Sequence, residues 1–207
     1  MTLTLQNFSL LTQGDKMNFS ELVLKNRSYR RFDQNMRIPK QLMVELIGLA
    51  RISPSPANLQ ALKFWLVSDA EECEQVFKNV KFGGYLKDWG GPVEGEKPSG
   101  YVIILGDTDI KPIFEIDAGI AAQTILLGAT EQGFGGCMVK AFKRESLREL
   151  LGLTENLEIV LVIALGKPEE ICVIEDYDES KGIEYYRDEA GIHHVPKRPL
   201  DELIVHW

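Results

Sequence analysis

At 207 residues, 44% of them hydrophobic, the chain is long enough for one domain with a sizeable core. Its formal net charge of −8 and sequence pI near 5.0 argue against the broad basic face by which proteins grip nucleic acid without regard to sequence. Cys73, Cys137 and Cys172 are widely spaced and lack a CxxC pair, so neither a disulfide framework nor a zinc site is indicated and a reducing, cytoplasmic setting is expected.

Residues 1–17 read as a leader segment that has apolar residues but neither the basic start nor the cleavage site of an export signal. Met17 is an alternative start, because an amphipathic pattern begins directly after it. No apolar run approaches the roughly 20 residues needed to span a bilayer, so no membrane association is expected.

Phe19, Leu22 and Val23 mark a short helix over Phe19–Lys25 with Asn18 as its N-cap. The basic cluster Arg27-Ser-Tyr-Arg-Arg-Phe32 follows it. Pro39 opens a stronger helix through Leu42, Leu46, Ile47 and Leu49, which ends before Ser53-Pro54-Ser55-Pro56 because proline drives the residue before it out of helical geometry. Leu62–Ser68 reads as a strand and Ala70–Asn79 as a helix. Residues 81–100 hold six glycines together with Phe82, Tyr85 and Trp89, the composition of a long loop with one helical turn.

Tyr101–Leu105 has the unbroken apolar character of a buried strand, and a long helix spans Ile113–Gln132. Ala118, Ala121, Ala122, Ile125 and Ala129 share one face of that helix. Small residues at this spacing permit close helix approach, and close packing within one subunit and a subunit interface fit the pattern equally well. Gly133-Phe-Gly-Gly136 turns the chain into a strand, Cys137–Val139, then comes a helix over Arg144–Leu151 and a last clear strand over Ile159–Leu165. Residues 169–207 form a polar arm whose ending, Pro199-Leu-Asp-Glu-Leu-Ile-Val205, carries apolar residues in need of a surface. The whole reads as a single α+β domain with a docked tail.

Arg27, Ser28, Arg30 and Arg31 offer forked donors and a hydroxyl suited to phosphate. Taken alone, the cluster reads more readily as a solvated charge run. The loop from Ser53 to Gln60 gathers hydroxyls and amides, and the Asn58 and Gln60 amides can donate and accept at once, as reading the edge of a heteroaromatic ring requires; plain turn chemistry explains it as well. Gly133–Gly136 ends a helix and enters a strand, the reverse of the dinucleotide order. His193 and His194 lie in the polar arm without ligands at metal spacing, so a solvated role is expected there and no metal site. Cys137 reads as a small buried hydrophobe.

In this order the segments RSYRRF, SPSPANLQ, GFGGCMVKAF and KRPLDELI resemble the four motifs of the nitroreductase family of flavin enzymes, over residues 19–205. The resemblance implies a mixed, largely antiparallel central sheet flanked by helices, with an extended C-terminal arm over residues 169–207 that docks on the partner of a homodimer. It implies FMN as cofactor. Arg27, Ser28 and Arg30, rather than Arg31, would hold the phosphate and ribityl chain, with Lys197 or Arg198 closing from the arm. Pro54, Ser55, Asn58 and Gln60 would border the isoalloxazine ring, and Val139, Lys140 and Ala141 would line its other side. Tyr85, Lys87 and Trp89 are candidates for substrate contact. The activity implied is transfer of electrons from NADH or NADPH through flavin N5 to a small electrophilic acceptor of nitroaromatic or quinone type. Reductive dehalogenation, flavin-consuming chemistry and a non-catalytic FMN sensor are the alternatives. Two departures bear on substrate and potential: Ala61-Leu62 stands where many members have Pro-Trp, and Lys140 stands where many are acidic.

Overall fold

The computed structural model describes residues 17–180 and 182–206; the leader expected over residues 1–17 thus lies, Met17 apart, outside the described residues. Helix α1 (Phe19–Lys25) starts where the sequence places it. The Asn18 side chain accepts from the Glu21 N–H (3.0 Å) while the Asn18 N–H donates to Glu21 Oε2 (2.9 Å), a reciprocal capping box. Helix α2 (Lys40–Ile52) follows Pro39, which caps the helix from one position outside it.

The central strands form an antiparallel sheet built around one of them. Strand β5 (Leu157–Pro168) pairs on one edge with β3 (Gly100–Asp107), which in turn pairs with β2 (Leu62–Val67). On its other edge β5 takes β4 (Gly135–Val139), and at its end it also pairs with the short β1 (Phe32–Asp33). Side chains of β3 alternate between two cores. Val102 and Ile104 face a cluster with Leu46 of α2 and Ala122 and Ile125 of α4 (Glu115–Glu131). Tyr101, Ile103 and Leu105 face a second cluster with Val76 of α3 (Ala70–Phe77) and Leu147 of α5 (Arg144–Leu151). Period-2 alternation on a sheet covered on both faces produces this layering.

The alanine face of α4 is settled by packing within the chain. Ala118, Ala121, Ala122 and Ala129 are buried with α2 residues in the first core, and a Cβ on Gly128 would come within 2.7 Å of Leu49. The subunit-interface reading of that face is thereby corrected. The opposite side of the helix is the exposed one, with Ile116 66% accessible.

The arm is more ordered than its composition suggests. Strands β6 (Cys172–Asp176), β7 (Tyr186–Arg187) and β8 (His193–Lys197) form a second sheet in which β8 lies between the other two, parallel to β6. A last short helix, α6 (Leu200–Leu203), follows. The arm up to Lys197 rests on its own chain: Tyr185 packs edge-on against Tyr85 (4.9 Å between centroids) and Arg187 lies over the Trp89 ring (4.7 Å). At the end of the arm Leu200, Leu203 and Val205 remain exposed.

Ser28 bridges to Gly136 at the edge of β4, and the Tyr29 N–H donates to the Gly136 carbonyl (3.0 Å). A Cβ on Gly136 would meet the Ala164 carbonyl oxygen at 2.3 Å, a backbone atom that cannot step aside. Replacement of Gly136 by Ala is expected to destabilise the protein by at least about 1–3 kcal/mol through overpacking, read as a lower urea midpoint. An unchanged midpoint would contradict this packing.

Candidate functional site

The bridge to Gly136 carries the basic cluster past β4 and against the arm. There Arg27, Ser28, Arg30 and Lys197 line one cavity of about 330 Å³, together with Met138, Tyr185 and His193, and among the described residues no carboxylate lines it. Arg30 is 8% exposed. Its guanidinium donates to the Ser28 carbonyl (3.0 Å), lies over the Tyr185 ring (4.5 Å) and approaches His193 Nε2 (3.1 Å). Its backbone N–H donates to Glu170, whose other oxygen accepts from Arg187 (2.9 Å). Glu170 thus offsets the buried positive charge from behind the cavity.

The neighbouring cations are spent differently. Arg27 turns back on the end of α1, donating to the Asn26 and Val23 carbonyls (both 2.7 Å). Arg31 is held in an ion pair with Glu96 of the 81–100 loop. Arg198 pairs with Glu202 (2.9 Å) and lies over Tyr177 (5.0 Å), whereas Lys197 lines the cavity. Alternation along β8 accounts for the difference: His193, Val195 and Lys197 share the cavity side.

His193 is a correction to the sequence reading. It is 1% exposed rather than solvated. A guanidinium has only donors, so Nε2 must accept from Arg30, and a neutral ring then carries its proton on Nδ1. Nδ1 has no partner among the described residues. Burial, followed by the Arg30 and Arg187 cations, pushes His193 down to about 4. His194, one residue on, faces the other way between Asp188 (3.2 Å) and Glu175 (3.0 Å), which hold it above the usual imidazole range, the Asp188 contact foremost. The missed signal was the HxVxK alternation, which puts one histidine and the lysine on the same strand face.

The second set gathers elsewhere. Pro54, Ser55 and Gln60 line a cavity of about 260 Å³ with Asp117 and Phe64. Ala57, Asn58 and Gln60 all have positive φ, 51°, 54° and 52°, unusual for residues with a Cβ and a mark of a constrained functional turn. The Ser55 hydroxyl holds that turn, accepting from the Gln60 N–H (3.1 Å) and donating to Asp117 (2.6 Å). Asp117, 4% exposed, also receives the Lys111 ammonium. Burial raises its carboxyl, but Lys111 and Ser55 outweigh burial and hold it below the usual carboxylate range. Asn58 is exposed, and its carbonyl accepts from the Gln60 amide (3.1 Å).

The third set splits. Val139 is buried and Ala141 exposed. Lys140 does not reach the cavity of Arg27 and Lys197. A bulge in the β3–β5 ladder skips Val160, and the Lys140 ammonium donates to the Val160 carbonyl (2.8 Å), in a separate cavity that also holds Arg144 and Glu158. Of the loop candidates, Tyr85 is exposed beside Tyr185, Lys87 is exposed, and Trp89 packs against the second core beneath Arg187. Trp89 thus anchors the loop rather than standing free on it. Among the described residues, no group of three or more His, Cys, Asp or Glu could hold a metal ion, and no helix is long and apolar enough to cross a membrane.

Several relatives share this architecture. A solved nitroreductase family protein of Clostridium difficile superposes with a TM-score of 0.66 at 22% identity, covering 92% of this chain and 98% of its own. An FMN-dependent nitroreductase of the same species gives 0.60 at 22% identity, covering 77% and 92%. In sequence, a protein of Methanothermobacter thermautotrophicus, provisionally named an NADH dehydrogenase/NAD(P)H nitroreductase, is 27% identical over 75% of this chain and 80% of its own length. An NADPH-flavin oxidoreductase of Vibrio harveyi is 24% identical over 74% and 67%. The Nitroreductase family model matches residues 23–86 and 98–167, taking in the basic cluster, the Ser53–Gln60 turn and the β4–β5 pair. With well over half of its length matched and the fold shared, the chain belongs to the nitroreductase family.

Proposed function

We propose that the protein is an FMN-dependent oxidoreductase that takes electrons from NADH or NADPH and delivers them to a small electrophilic acceptor of nitroaromatic or quinone type. The observation that carries this reading is the cavity of Arg30 and Lys197. An acidic chain assembles three cations, a hydroxyl and a buried imidazole around it with no lining carboxylate among the described residues, an arrangement that favours a phosphate dianion. The unpartnered buried Nδ1 of His193 fits a site completed by a ligand.

When bound, FMN supplies the hydride and electron chemistry. The protein's share is positioning. Arg30, Ser28 and Lys197 would hold the phosphate, with Arg27 beside them. Pro54, Ser55, Asn58 and Gln60 would border the ring, with the strained turn fixed by Ser55 and Asp117, and the backbone at Val139–Ala141 would line its far side. Tyr85 is the loop residue best placed to meet a substrate, being exposed beside the cavity wall at Tyr185.

The phosphate set and the ring set occupy different cavities of one chain, both bordered by α4. A homodimer would reunite them across two copies. Exposed Phe19 (73%), Ile113 (67%) and Ile116 (66%) beside α4, with Leu200 and Leu203 at the arm's end, supply the apolar surface that such an interface needs.

Three outcomes follow. Titrated into flavin-stripped protein, FMN is expected to lose fluorescence and raise the melting temperature; free FMN fluorescence with no thermal shift would sink the reading. Loss of one charged phosphate contact is worth roughly 1.5–3 kcal/mol, so Lys197→Gln should weaken FMN binding by about 10- to 100-fold, whereas Arg198→Gln and Arg31→Gln should change it little. Equal losses would undo the assignment of Lys197. In sedimentation the wild type should run as a dimer and Ile116→Asp as a monomer with poor flavin retention; a monomeric wild type that keeps FMN would refute the shared site.

A further inference from the structure

His193 has no place in the motifs that mark the family in this chain, yet it is the most buried group in the cavity wall, 1% exposed. Its surroundings are costly for folding alone. Nδ1 is unpaired among the described residues, and burial first, then the Arg30 and Arg187 cations, pushes the ring down to about 4. An aliphatic side chain would fill the same space with no orphaned donor and no need to stay neutral. Buried polar groups kept at such a cost are expected where function needs them.

What the ring does is limited by geometry. Arg30 Nη1 has two acceptors, the Ser28 carbonyl at 3.0 Å and His193 Nε2 at 3.1 Å. The guanidinium lies 4.5 Å over Tyr185, whose ring is 5.2 Å from that of His193. One nitrogen of the fork is thus fixed from two directions and its plane from a third. A fork fixed by one edge presents its remaining donors in a set direction, which is what bidentate phosphate recognition requires.

We propose that His193 is a positioning residue for phosphate recognition: by accepting from Arg30 it locks the guanidinium against Tyr185 and so orients it toward the phosphate of the bound flavin. The proposal rests on the reading of this cavity as the FMN phosphate site. It also gives the arm a task within its own chain, since β8 brings both the lysine and the residue that aims the arginine.

The test compares FMN with riboflavin, which lacks the phosphate, by fluorescence titration of full-length flavin-stripped protein. In His193→Leu the acceptor is gone, and FMN is expected to bind about tenfold more weakly, the loss of one hydrogen bond to a charged group, while riboflavin binding stays within about twofold. In His193→Gln an amide oxygen reaches the place of Nε2 and most of the FMN affinity returns. Unchanged FMN affinity in His193→Leu overturns the proposal alone, as does an equal loss for both flavins, the mark of a merely structural role. Should His193→Leu fail to fold, His193→Gln and His193→Asn decide. Asn puts its oxygen near Nδ1 instead, so FMN must bind more tightly to the Gln variant, and equality or the reverse overturns the proposal. Wild-type protein that binds neither flavin, or both alike, removes the phosphate site itself and the proposal with it.

Discussion

Strand β5 is the constraint on which the rest depends, because it pairs on both edges and is packed on both faces. One edge takes β3, and through it β2; the other takes β4, and β1 pairs at the strand's end. Ile163 and Leu165 enter one core, and Ile159 and Ala164 the other. Since β4 must lie against β5 with no room for a Cβ at Gly136, the chain at Ser28 and Tyr29 can reach the edge of β4. That contact puts the basic cluster at a fixed place in the fold rather than on a loose surface loop. The same strand explains Lys140, whose ammonium satisfies the carbonyl that the β5 bulge leaves out of the ladder.

From that edge outward the site is organised by charge. Glu170 receives the Arg30 backbone and the Arg187 side chain, Arg187 covers Trp89, and Arg30 covers Tyr185, which meets Tyr85. The loop at 81–100, the arm and the basic cluster are therefore one connected network, in which truncating a single buried partner leaves another charge uncompensated. Arg31 joins this network through Glu96 of the loop and so is turned from the cavity, while Lys197 stays on the cavity side. An acidic protein thus presents a local cationic cavity without a basic surface.

The helices and central strands were legible in the sequence because each obeys a simple period or punctuation. Asn18 and Glu21 announce α1, the Ser53-Pro54 pair ends α2, and the apolar run at Tyr101 marks β3, although the strand continues to Asp107. The arm was not legible. Its strands are short, one contains Pro196, and they are held by paired charges and stacked rings, as where Tyr186 stacks on His194 between Glu175 and Asp188, so no apolar alternation announces them. The residues of the cationic cavity were readable as types, but the distinction between Lys197 and Arg198 required strand register. The burial of His193 depended on Arg30, 163 residues away in sequence, a contact that no local pattern encodes.

The central claim is that the Arg30–Lys197 cavity holds a phosphate dianion. Phosphorus NMR of the FMN-loaded protein tests it most directly, because a free phosphomonoester titrates near pH ~6. Held by the two cations, the bound phosphate should give one shifted resonance that stays constant from about pH 8 down to about pH 5, since opposite charges favour the ionised form. A bound-flavin resonance that titrates near pH ~6, as in free solution, would place the phosphate outside this cavity and contradict the account.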